Sequence, residues 1–280
     1  MERVKVTIYT DPGCPFGFNA QRQETQLLWH YGAGLDLTRR MIVLSERSAS
    51  FEERGLRRDM IAASFARLRD DYGMPMVVGP EDRIAATFDA CRAYVGARIH
   101  DPDRAALLLR ALRRRIFSEG QAADDPETVR AAADDAGVAV EAVEAWLTDS
   151  EVERALREDM AAARAPLPEA LALAHRLSRS DGGYRYSTAS AVLERGERRI
   201  VFAGFQPFAV YEVAMANVAP ELERRPAPES AEEVLAWAPY PLATAEVAEL
   251  RGISVERARE ELERSVARME PSAQDGYWSA

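Results

Sequence analysis

The segment Arg3–Phe18 constrains the fold more than any other part of the chain. Val4, Val6 and Ile8 alternate with Lys5 and Thr7, the period-two pattern of a strand with one buried face. Asp11-Pro12-Gly13 is a turn signal. From Pro15 the apolar positions widen to helical spacing, through Phe18, Leu28 and Trp29, and end near Tyr31-Gly32. A second β-rich run, Leu35–Leu44, carries Leu37, Met41 and Val43. Strand, turn, helix, strand is a βαβ unit with a tight first crossing.

Cys14 falls at the N-cap of that first helix, and Pro15 takes the first helical position, where a missing N–H costs nothing. A thiol placed there faces unpaired backbone N–H groups and the positive end of the helix dipole. Both favour the thiolate, so the Cys14 pKa is expected to be depressed and the sulfur nucleophilic near neutral pH. The plainer alternative is a small apolar residue at a helix start that happens to be cysteine.

Residues 50 to about 178 change character. Ala, Leu, Arg and Glu dominate, and apolar residues recur three or four apart. Ile84, Phe88, Cys91 and Val95 form one stripe, and Leu107, Leu108, Ala111, Leu112 and Phe117 another. Asp101-Pro102 and Asp125-Pro126 read as helix starts, with Gly120 and Gly137 as stops. This is an all-helical block of roughly five helices. Strand character returns at Thr188–Glu194, and Arg195-Gly196-Glu197 turns the chain into Arg198–Phe202, a β-hairpin. Gly204-Phe205-Gln206-Pro207 leads to a helix with Val210, Val213, Ala214 and Val218 inward. The polar stretch 223–230 is a linker to a small helical tail.

Composition narrows the class. With 280 residues, 47% apolar and 29% charged, the chain has the make-up of an ordinary globular protein. Its longest uncharged stretches, Ile200–Tyr211 and Val234–Ala245, are 12 residues, short of the roughly 20 that cross a bilayer. Residues Met1–Lys5 carry no apolar signal core, so a cytoplasmic location is expected. The net charge of −10 argues against nucleic-acid and anionic-membrane partners. Two cysteines, with His30, His100 and His175 at no ligand spacing from them, leave no metal site, and a structural disulfide is not expected in a cytosolic chain.

Asp11-Pro12-Gly13-Cys14-Pro15-Phe16-Gly17-Phe18 after the first strand resembles the active-site segment of DsbA-like thioredoxin-fold proteins. That group includes cytosolic bacterial oxidoreductases, kappa-class glutathione transferases and 2-hydroxychromene-2-carboxylate isomerases. The order βαβ, helical insertion, hairpin, helix follows that family to about residue 222, and Gly204-Phe205-Gln206-Pro207-Phe208 is similar too. The resemblance implies an α/β thioredoxin-like fold built from residues 1–48 and 180–222. Residues 49–179 would be a helical insertion, and 223–280 a linker and C-terminal helical hairpin. It also implies a low-molecular-weight thiol such as glutathione as co-substrate, no permanently bound cofactor, and a homodimer as the family expectation.

Two departures reshape the chemistry. Where dithiol members of the family carry a second cysteine this chain has Gly17, so oxidation through a local disulfide is excluded. Cys91 could substitute only if the insertion brought it close, and its stripe neighbours Phe88 and Val95 argue for an inert buried thiol. The family's cis-proline falls in Ser187-Thr188-Ala189-Ser190, with Ala189 at the matching position. A non-proline cis bond costs about 2.5–4 kcal/mol, so the Thr188–Ala189 bond is expected to be trans, or else a strained outlier. Thr188 and Ala189 would form the substrate edge, whose backbone can pair with an extended thiol peptide. Cys14 then acts as a monothiol nucleophile on mixed disulfides, with Pro15, Phe16 and Gly17 shaping the helix start. The alternatives are a transferase or isomerase in which Cys14 hydrogen-bonds a bound cofactor thiol, and a redox-inactive binding protein.

Leu242–Ser254 followed by Val255–Met269 looks like a helix-turn-helix, with Thr244 and Ser254 as N-caps and Gly252 in the turn. From Leu242 to Glu270 there are five Arg against seven Glu, and Glu256, Glu260, Glu261 and Glu263 lie on the second helix. Those carboxylates would repel phosphates, so the pair is read as a hairpin that docks on the body or on a partner. Tyr277-Trp278 are read as its anchor.

Overall fold

The computed structural model describes residues 2–49, 53, 55, 57–79, 84–180 and 182–280. Strand β1 (Val4–Thr10) buries Val4, Val6 and Ile8 on one face as the alternation requires. It runs into α1 (Pro15–Asn19), α2 (Gln21–Tyr31) and β2 (Leu35–Met41), which lies parallel to β1 with Val6 opposite Leu37. The sheet is completed by β5 (Ser190–Arg195) and β6 (Arg198–Phe202) in the order β2-β1-β5-β6, with β5 antiparallel to β1. Helices α2 and α10 (Phe208–Val218) cover one face through Leu27, Tyr211, Met215 and Val218. Val210 and Ala214 join that contact, but Val213, expected inward, is 64% exposed. It sits three residues past Val210 on a helix apolar on nearly all sides, where spacing alone selects no face.

Between β2 and the hairpin lie α3 (Arg58–Tyr72), α4 (Phe88–His100), α5 (Pro102–Phe117), α6 (Pro126–Asp135), α7 (Val140–Trp146), α8 (Ser150–Ala163) and the short α9 (Pro168–Leu171). Helices α4 to α8 share a core that holds Cys91, Val95, Leu108, Leu112, Val129, Trp146 and Leu156. Asp125 caps α6 by accepting from the Glu127 amide, whereas Asp101 starts α5 without such a bond. Ile84 precedes α4 rather than belonging to it. Beyond α9 a small hairpin, β3 (Ser178–Ser180) with β4 (Gly183–Arg185), was not legible in the sequence.

The C-terminal segment is not purely helical. Helix α11 (Ala231–Trp237), β7 (Leu242–Ala243), α12 (Thr244–Arg251), α13 (Val255–Arg264), β8 (Arg268–Ser272) and β9 (Asp275–Ser279) follow one another. Their strands order as β7-β9-β8, the arrangement of a winged helix. Ser254 caps α13 as expected, but the N-cap of α12 is Ala243, and Thr244 is buried with its hydroxyl bonded to Asp275 and Trp278. Tyr277 and Trp278 are both 3% exposed, in strand β9.

This module docks on α2 through buried charge. Glu246, fully buried, accepts two bonds from Arg110 at 2.8 and 2.9 Å, one from Thr25 at 2.9 Å and one from the Ala243 amide at 3.0 Å. Glu249 accepts from Arg22 and Gln26, both at 2.9 Å. Removing one partner of such a pair strands the other charge in a low-dielectric interior. Glu246→Ala is therefore expected to destabilise the protein by about 3–5 kcal/mol in denaturant titration, far more than Glu263→Ala on the exposed face of α13.

Candidate active site

The site begins where β1 ends. Asp11 is fully buried, and its carboxylate accepts from the Gly13 amide at 2.7 Å, the Leu44 amide at 2.8 Å, the Thr87 hydroxyl at 2.8 Å and the Cys91 thiol at 3.5 Å. The turn is thus tied to the end of β2 and to the insertion at once. Burial pushes the Asp11 carboxyl above its usual range, and those four donors pull it back. Cys14 follows as the N-cap residue of α1, in extended backbone (φ −95°, ψ 120°), with Pro15 in the first turn.

Cys14 lines a cleft of about 300 Å³, with Phe16, Leu44, Arg176, Arg185, Thr188 and Phe205 around it. The Thr188 hydroxyl is buried, has no partner elsewhere and faces the thiol. Phe16 is 38% exposed and tilts against Phe205, at 6.3 Å between ring centroids. Gly204 turns into the cleft with φ +73°, and a side chain there would press on Ser187 Oγ and the Arg176 carbonyl, at 3.2 and 3.3 Å.

The expected depression of the Cys14 pKa does not hold. Burial pushes the thiol up and is the largest influence, with the Asp11 carboxylate adding to it. The Thr188 hydroxyl and the amides of Gly17 and Phe16 act in the opposite direction without prevailing. The helix start does supply its N–H groups, but it supplies them to the thiol of a residue only 7% exposed. Cys91 is completely buried and hydrogen-bonded to Asp11, and burial pushes its thiol far up. It does not line the cleft.

Gly17 is more than a missing sulfur. A Cβ at this position would lie 2.8 Å from Thr10 Oγ1, 3.1 Å from Thr188 Cγ2 and 3.2 Å from Arg113 Nη2. The space is held by a bond of 2.6 Å from Arg113 to Thr10. At the other side of the cleft the Thr188–Ala189 peptide is cis, the second of the two expected outcomes and not the trans bond named first. Thr188 lines the cleft, whereas Ala189 turns into the core under the sheet. Sequence reasoning missed Asp11, taken only as a turn residue, and Arg113, one of four arginines between 110 and 115 with nothing to single it out. Among the described residues no three His, Cys, Asp or Glu side chains gather as a metal would need, and no helix is long and apolar enough to cross a membrane.

A cysteine at the head of the helix after β1, facing a peptide edge before β5, defines a thioredoxin-class site. The model of the DSBA-like thioredoxin domain matches residues 5–166, and the chain belongs to that family. A comparison with curated proteins finds no match. Among solved structures, a probable DsbA oxidoreductase from Streptomyces coelicolor is similar over 81% of this chain and 93% of its own, at 22% identity and a TM-score of 0.58. The cytosolic disulfide reductase DsbM from Pseudomonas aeruginosa covers 76% of this chain and 99% of its own, at 15% identity and a TM-score of 0.54. Its complex with GSH superposes with a TM-score of 0.51, at 16% identity over 75% of this chain and 98% of its own.

Two outcomes follow from this geometry. Gly17→Cys restores the missing thiol only by displacing the Thr10–Arg113 bond, and is expected to cost about 1–3 kcal/mol by overpacking in thermal or denaturant unfolding. The raised pKa values of Cys14 and Cys91 mean that the unfolded chain loses thiol protons first as pH rises. Stability contributed by the two neutral thiols is complete below about pH 8.5, the free-thiol value, and declines above it. Urea titrations from pH 7 to 10 should show that decline reduced in Cys91→Ala.

Proposed function

We propose that the protein is a cytoplasmic thiol–disulfide oxidoreductase that works with one cysteine and a low-molecular-weight thiol. The observation that carries this reading is that, among the described residues, Cys14 brings the only sulfur to the cleft while position 17 has no room for another. The Cys14 thiolate attacks the small-thiol sulfur of a mixed disulfide, forms a new S–S bond to it and releases the other thiolate, which takes up a proton. A second small thiol, as its thiolate, attacks that intermediate, leaves as the small-molecule disulfide and returns the electron pair to Cys14. Atoms and electrons balance with one free small thiol consumed per turnover, the other half of the product disulfide coming from the mixed disulfide.

Glutathione, or a thiol of similar build, is the co-substrate we assign. The cleft is of tripeptide size, and Arg176 and Arg185, which line it, would supply cations for its carboxylates. Thr188 offers the peptide edge opposite the sulfur. DsbM, which shares the fold, has a structure with GSH. No permanently bound cofactor, nucleic acid or membrane enters this reading.

One observation favours a second reading. A thiol kept protonated by burial is a hydrogen-bond donor before it is a nucleophile. In a transferase or isomerase of the kappa or chromene-carboxylate type, Cys14 would donate to the sulfur of a bound thiolate, which itself reacts. Cys14→Ser separates the two. In the exchange reading it lowers reduction of a glutathionylated peptide by at least about 1,000-fold, as loss of a nucleophile does, while glutathione still binds by calorimetry. A serine variant that keeps wild-type turnover would sink the exchange reading and favour the second. Glutathione binding without turnover by either protein would leave a binding module.

A further inference from the structure

Arg113 is the largest side chain buried completely in the fold, at 1% exposure, and it lies beneath the first turn of α1. Its Nη2 donates to Thr10 at 2.6 Å, its Nη1 stands 3.7 Å from Glu24 Oε1, and its Nε has no partner. Glu24 gives its other oxygen, Oε2, to Arg39, through Nε at 2.8 Å and Nη2 at 2.7 Å, so one carboxylate serves both guanidiniums. Arg110, one turn earlier on α5, is engaged by Glu246. Three guanidiniums therefore share two carboxylates, and one positive charge is left over in the interior.

A buried charge that has only a share of a counter-ion is unfavourable. The charged groups around Arg113 are Glu24 from α2, Arg39 from β2, Arg110 from its own helix and, after these, Cys14 from α1. Around Cys14 stand Asp11 in the preceding turn, the Thr188 hydroxyl, and Arg176 and Arg185 across the cleft. Asp11 has its oxygens taken by four neutral donors and none by Arg113. The sulfur at the head of α1 is the remaining place for an anion.

We propose that Arg113 is the counter-charge of an anionic sulfur at the head of α1, and that it occupies, with Thr10, the space a second cysteine would need. It acts from behind the helix and does not touch the substrate, so it is a positioning residue. The sulfur is that of Cys14 in the exchange reading above, on which this inference rests. In a dithiol enzyme the second thiolate attacks the first sulfur, forms a disulfide with it and expels the bound thiol, whereas here the first sulfur leaves as a thiolate when a small thiol displaces it, and a fixed cation lowers the cost of that charge.

The test is the rate of Cys14 alkylation by iodoacetamide against pH, with the labelled residue assigned by mass spectrometry. Arg113→Gln is expected to slow labelling at pH 8 about tenfold, which corresponds to a midpoint one pH unit higher. Arg113→Lys, which keeps the charge, should stay within about threefold of wild type. Glu24→Gln removes a competing carboxylate and should move the midpoint the other way, with faster labelling. Loss of structure would speed labelling and expose Cys91 as well, so a slower Cys14 cannot come from misfolding. If Arg113→Gln misfolds, Glu24→Gln decides. An unchanged midpoint in Glu24→Gln, or in a folded Arg113→Gln protein, overturns the proposal. The readout is ionisation of the sulfur and not turnover, so an inactive enzyme with shifted midpoints would sink the oxidoreductase reading alone.

Discussion

The site depends on one buried carboxylate. Asp11 stands where β1 ends, and its two oxygens gather the Gly13 amide, the Leu44 amide, the Thr87 hydroxyl and the Cys91 thiol. The four donors come from three stretches of chain, so the strand end with its turn, the exit of β2 and the start of α4 are fixed relative to one another by a single residue. The position of Cys14, three residues on, is inherited from that arrangement. So is part of its chemistry, because the negative charge that organises the turn also opposes a second negative charge on the sulfur.

This is why the thiol departs from what the sequence implies. The helix start is present, and the amides of Phe16 and Gly17 do face the sulfur. A dipole and two N–H groups act on a thiolate that keeps some water around it. Once the cysteine is 7% exposed, desolvation of the charged form is the larger effect. Burial is a property of the assembled cleft, set by Thr188, Phe16 and Leu44 from three separate segments, and no local pattern around Cys14 carries it.

Much of the sheet and its flanks was legible, because alternation at Val4, Val6 and Ile8 and the turn at Arg195-Gly196-Glu197 are local signals. Cys91 was legible as a buried thiol from its apolar neighbours. What was not legible falls into two kinds. The β3–β4 and β7–β9–β8 pairings use strands of two to five residues, too short for a period to show. The polar core residues Asp11, Glu24, Arg113 and Glu246 look like surface charges in the sequence. Their burial depends on partners far along the chain, such as Arg110 for Glu246, 136 positions away, and Arg39 for Glu24, 15 positions away.

Those buried charges explain why the C-terminal module belongs to the site although it touches none of the reacting atoms. Glu246 on α12 engages Arg110, and without it α5 would place two unmatched guanidiniums, Arg110 and Arg113, behind α1. Glu24 would then be shared among three cations, and the field beneath the sulfur would change with it. The winged helix thus sets the charge of the interior on which α1 rests. Its acidic exposed face and its buried docking face are consistent with that role: α13 presents Glu256, Glu260 and Glu263 outward, while α12 carries the carboxylates that the body needs. The helix-turn-helix pattern by itself points toward nucleic acid; the carboxylates of its second helix argue against that, and its first helix faces inward onto Arg22, Thr25, Gln26 and Arg110.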